Sequence, residues 1–192
     1  MALLDYVDPA TADERTRDLL GMDGDYFGRP SLFARALAID PDVFAARTDY
    51  YDRIARDSEI PTLLCELVFL GVPLETGCTY CIASHSEKLL NLGVPRETVE
   101  AFVHGDLSGF DQRERAVIRF AQTAARDPAS VDEAHLEALR ESGFDDPAVV
   151  RLLTIVAAAV AANTIADVLS LHPDDREEPF AGDPSWWDAT AE

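Results

Sequence analysis

An all-α fold is what this sequence predicts, on three observations. Apolar residues recur at three- and four-residue spacing along nearly the whole chain. No stretch alternates apolar and polar side chains for long enough to define a strand. The chain has 192 residues, 47% of them hydrophobic, which suffices for one buried core and excludes a wholly disordered, collagenous or low-complexity protein.

The elements follow in order. Pro9 opens a short amphipathic segment that Gly21 is expected to end, with a loop over 22–30. Ser31 suits the cap of a short helix, and Pro41 the first position of the next, which runs towards Arg56. Pro61 opens the strongly apolar PTLLCELVFLGV, which Gly71 and Pro73 are expected to interrupt or end. Thr76 and Gly77 lead into CTYCIASHSEKLLNLG, a helix over 79–92 closed by Gly93. Pro95 starts another turn or two. Ser108 and Asp111 offer starts for a helix to Ala125, which Asp127-Pro128 breaks. A helix over 131–142 stops at Gly143. After Asp146-Pro147 comes VVRLLTIVAAAVAANTIADVLSL, apolar on most sides, so it is expected centrally or at a subunit contact. The charged tail, with Trp186 and Trp187, should be loosely ordered. This reading divides the chain into an N-terminal helical extension over 1–40, a helical domain over 41–171 and an acidic tail over 172–192.

The charge narrows the partners. Sixteen basic residues against 36 acidic ones leave a formal charge of −20. Nucleic acid and anionic membranes are excluded as partners, because phosphate binding needs clustered Lys and Arg. Lys88 is the only lysine; the other basic residues are all Arg. Such a surface suits a protein kept soluble in concentrated salt, and equally a GC-rich genome with a solvated acidic exterior. The N-terminus lacks a basic segment followed by a long apolar one, and the longest apolar run, 155–162, falls short of the roughly 20 residues of a membrane helix. A cytoplasmic location is expected. Three cysteines, Cys65, Cys78 and Cys81, do not form a secreted disulfide framework.

The chemistry concentrates in Cys78-Thr-Tyr-Cys81-Ile-Ala-Ser-His85. Two cysteines three apart at a helix start can form a disulfide, and the helix N-terminus favours a thiolate there. His85 follows Cys81 by four residues and shares its face, where an imidazole can take or return a proton. Glu66 sits in an otherwise apolar helix and needs a partner; an imidazole would supply it and be oriented in turn.

With its spacing from Glu66 to Cys78-x-x-Cys81 and then His85, the chain resembles the AhpD-like proteins, within the carboxymuconolactone decarboxylase superfamily. The Gly-Val-Pro turn after the motif helix, the downstream DQRERAVIRFAQ and the closing Ala-rich helix with Asn163 extend the resemblance over about 41–171. It implies an all-helical fold that oligomerises as trimers or hexamers. It implies thiol-dependent reduction of a hydroperoxide or disulfide, without haem, flavin, metal or other cofactor, recharged by a dithiol, lipoyl or thioredoxin-like donor. Glu66, Cys78, Cys81 and His85 then match the catalytic proton-relay and redox positions. Cys65 replaces a frequent Arg, and Tyr80 stands where the best-known members have His.

Other readings compete. Cys78, Cys81 and His85 could supply three zinc ligands, with Cys65 or His104 as a fourth, in a redox- or zinc-responsive interaction module. A lactone decarboxylase of the same superfamily needs acid–base groups but no dithiol. Cys65 reads as a core residue, His104, His135 and His172 as surface residues, Tyr80 as packing and Asn163 as a structural polar contact.

Overall fold

The computed structural model describes residues 3–27, 30–56 and 59–173; Trp186, Trp187 and most of the expected tail lie outside them. Nine α-helices, and no strand, occur among the described residues. They are α1 (Glu14–Phe27), α2 (Leu32–Leu37), α3 (Pro41–Tyr51), α4 (Thr62–Thr76), α5 (Thr79–Asn91), α6 (Arg96–Val103), α7 (Gln112–Arg126), α8 (Glu133–Glu141) and α9 (Asp146–Val168). A π-helical turn, Asp52–Arg56, extends α3, and a 3₁₀ turn, Pro128–Ser130, links α7 to α8.

Most of the starts are chemically explicit. Ser31 accepts the amide of Ala34, Asp40 those of Asp42 and Val43, and Asp145 that of Ala148. Asp111 and Glu114 form a reciprocal capping box at α7.

The centre is α4, which packs against α5, α7 and α9. Leu67, Val68, Leu70 and Val72 are sealed from solvent, so this helix can be apolar on every side. Burying each such side chain contributes about 1.5–3 kcal/mol, the main reason these helices assemble. Around them lie Phe102, Val117, Ile118, Leu152 and Ile155.

Two expected breaks do not occur. Gly71 and Pro73 both lie inside α4, which continues to Thr76. Proline in a helix interior removes one hydrogen bond and costs roughly 3 kcal/mol; neighbours on three sides hold the helix together here. Gly71 faces Phe102 and α7, where the Phe102 Cζ lies 3.7 Å from the place a Cβ would take. Likewise α1 runs through Gly21 to Phe27, so part of the expected loop is helical. The two glycines in it, Gly21 and Gly24, cost only about 1 kcal/mol each. Leu20, packed with Ala34, Ala38 and Phe44, anchors the turn before it.

At 23 residues α9 has the length and composition of a membrane span, a possibility that its eight-residue apolar run does not reveal. One face of it, Leu152, Ile155, Val156, Ala159 and Ala166, is buried within the helical assembly.

Candidate redox site

Everything at the site hangs on the turn between α4 and α5. Gly77 ends α4 with φ of +81°, a left-handed conformation that favours glycine, and its amide donates to Pro73 O at 2.8 Å. The chain reverses at once, and Cys78 becomes the N-cap of α5. Its Sγ accepts the Cys81 amide at 3.4 Å. A sulfur so placed meets the unpaired amides and positive dipole end of the helix, which favour the thiolate when the pair is reduced. Here Cys78 and Cys81 are joined as a disulfide, with Cα atoms 5.3 Å apart.

One turn further, His85 donates through Nδ1–H to Glu66 Oε2 at 2.7 Å. The carboxylate has no proton to give, so the neutral ring carries its proton on Nδ1 and leaves Nε2 as an acceptor. Glu66 has no solvent contact. Its second oxygen, Oε1, lies 3.8 Å from Lys88 Nζ. Phe69, three residues after Glu66, stacks on the imidazole with centroids 5.0 Å apart and planes 12° from parallel. Burial, above all, holds the His85 pKa below its ordinary value of 6.5; the charges of Lys88 and, more weakly, Arg47 act the same way, against the opposing pull of Glu66. At neutral pH the ring is therefore a base.

The sulfurs are roofed. Cys78 is fully buried and Cys81 5% exposed, within an apolar cluster of Leu32 and Ala36 from α2, Ala166 from α9, and Leu171. Tyr80 joins the cluster, and its hydroxyl accepts the Phe33 amide at 3.3 Å, tying α2 to α5.

The structure joins the four expected residues in two pairs, Cys78 with Cys81 and Glu66 with His85, and His85 follows Cys81 by four residues on α5. Cys65 lies outside the disulfide, in the main core, its buried thiol donating to Ile60 O at 3.8 Å. His135 pairs with Asp132 at 2.6 Å, while His104 and His172 are exposed. Asn163 donates to Thr76 Oγ1 at 2.7 Å and fastens α9 to the end of α4. Among the described residues no group of three His, Cys, Asp or Glu side chains is arranged to hold a metal ion. Sequence reasoning passed over Lys88, Phe69 and the α2 roof. Two of these had a signal: Lys88 is the only lysine and follows His85 by three residues, and Phe69 follows Glu66 by three.

Residues 41–123 match the carboxymuconolactone decarboxylase family. The fold matches an uncharacterized peroxidase-related protein from Silicibacter sp. TM1040 (TM-score 0.81, 22% identity, covering 91% of this chain and 92% of that one). It also matches the alkylhydroperoxidase AhpD core of a peroxidase-related protein from Ralstonia eutropha JMP134 (0.78, 24%, 91% and 93%). A third match is the debrominase Bmp8, solved as a variant with 2,3,4-tribromopyrrole (0.76, 18%, 88% and 92%). No curated protein matches the chain in sequence.

Proposed function

We propose that this chain, whose residues 41–123 match the carboxymuconolactone decarboxylase family and whose fold is AhpD-like, is a dithiol oxidoreductase reducing hydroperoxides. The observation that carries this reading is the disulfide-capable pair at the N-terminus of α5, one turn before a His85–Glu66 relay.

In the reduced protein His85 Nε2 takes the proton of Cys81, its neighbour one turn back, and the thiolate attacks the terminal peroxide oxygen. The O–O bond breaks, the alkoxide collects a proton and leaves as alcohol, and Cys81 becomes a sulfenic acid. Cys78, held as thiolate by the helix terminus, attacks that sulfur; the S–S bond forms and water leaves. A dithiol donor, lipoyl or thioredoxin-like, then returns two electrons through a mixed disulfide. The lactone decarboxylase reading has no use for this pair. A second dithiol reaction is favoured by one observation, the apolar roof over the sulfurs, together with the debrominase among the similar folds: reductive removal of halide from a small aromatic ring.

The test is peroxide consumption with a panel of dithiols, with a brominated pyrrole as second acceptor. Cys78→Ser should consume one equivalent, trap a sulfenic acid and fail to turn over, whereas Cys81→Ser should be silent. Trapping by Cys81→Ser instead would reverse the roles. A wild type inert towards every peroxide would sink the reading.

A further inference from the structure

Lys88 stands apart from the rest of the surface. It is the only lysine in a chain whose other cations are all Arg. Its side chain is 12% exposed, and Nζ lies 3.8 Å from Oε1 of a carboxylate that has no solvent contact. A carboxylate so buried carries a heavy desolvation penalty unless it is paired. Helix α5 therefore delivers two partners to Glu66: His85 reaches Oε2, and Lys88, three residues on, approaches Oε1.

We propose that Lys88 is a positioning residue of the dithiol site: its ammonium engages Oε1 of Glu66, so that the carboxylate presents Oε2 to His85 Nδ1 and leaves Nε2 as the base towards Cys81. This rests on the redox reading only in its last clause; the Lys88–Glu66–His85 coupling stands without it. A compact ammonium on an unbranched stem suits this position, since it adds a point charge beside Oε1 while the planar Nδ1 contact takes Oε2. The groups acting on the imidazole are Glu66 and Phe69 from α4, Arg47 from α3, and Lys88 on its own helix. Of the cations among them, Lys88 weighs more on the ring than Arg47. Removing its charge takes away the largest cationic influence that lowers the His85 pKa, and the ring then holds a proton to higher pH.

The experiment follows the His85 ring nitrogens by NMR through a pH titration of the reduced protein, in wild type, Lys88→Met and Lys88→Arg. Lys88→Met should move the imidazole midpoint upward by about one pH unit, a tenfold gain in proton affinity. Lys88→Arg should restore it, and the acid limb of thiol consumption by hydrogen peroxide should shift in parallel. Should Lys88→Met misfold, acetylation of folded wild type removes the same charge, because Lys88 carries the chain's only ε-amine. An imidazole midpoint within about 0.3 of wild type after charge removal would overturn the proposal. A wild type that ignores peroxide would sink the redox reading while the titration still decides the role of Lys88.

Discussion

At the residue scale, the site couples protein stability to the charge of one ring. His85 is held neutral in the folded state, mainly by burial, so its folded pKa lies below the 6.5 it has when the chain is open. Just below pH 6.5 the unfolded chain binds a proton that the native protein refuses, and falling pH then favours unfolding. The expected result is a melting temperature that drops from pH 7 to pH 5.5 more steeply in wild type than in His85→Asn. Parallel curves for the two proteins would contradict it; the comparison is needed because many carboxylates also titrate towards the acid end. The Cys78–Cys81 pairing and the Glu66–His85 contact were legible in the sequence, from two cysteines three apart at a helix start and a lone carboxylate in an apolar helix that had to find a partner. Lys88 and Phe69 were not legible as site residues. Their spacing was visible, but that α4 and α5 lie side by side with these faces inward is a fact of packing.

At the scale of elements, caps and stops were readable wherever a residue carries its own chemistry. Ser31, Pro41, Gly93, Asp111 and Gly143 mark real boundaries. The misread ones, Gly21, Gly71 and Pro73, are residues whose local preference the tertiary contacts override. The cover over the dithiol was unreadable, since nothing local to 32–37 announces that α2 lies across Cys78 and Cys81. Its tie to α5, the Phe33 amide on the Tyr80 hydroxyl, can be cut by Tyr80→Phe. Losing the acceptor leaves an amide partly buried and unpaired, at a cost of about 1 kcal/mol. Because α2 is short and joins few neighbours, the loosening should be local. In the reduced variant, alkylation of Cys81 by a bulky maleimide should speed up several-fold, with little change towards iodoacetamide. Mass spectrometry of the modified peptide separates Cys81 from buried Cys65. A lower melting temperature with unchanged selectivity between the reagents would mean that α2 does not control access.

At the scale of the whole molecule, two features pull in opposite directions. The formal charge of −20 makes copies repel one another. Yet α9 leaves Val150, Leu153 and Val168 at 63%, 50% and 64% exposure, with Ala157, Ala161 and Thr164 also exposed between them at helical spacing. That stripe runs the length of the helix, whose other faces already serve the core, and among the described residues no element covers it. The expectation is a homo-oligomer built on α9, a trimer or a dimer of trimers. The balance between attraction and repulsion makes assembly depend on salt. At about 0.1 M the Debye length is about 10 Å, so neighbouring copies still sense each other's charge, whereas at about 1 M it falls to about 3 Å. Light scattering should therefore report a mass that rises in whole multiples of 21.0 kDa as KCl increases from about 0.1 M to about 2 M, with the melting temperature climbing alongside. Leu153→Glu places a charge in mid-stripe, outside the core, and should hold the protein at the monomer mass with its fold intact. A wild type that stays monomeric at high salt would remove the interface, and a melting temperature indifferent to KCl would remove the reading of this acidic surface as an adaptation to concentrated salt.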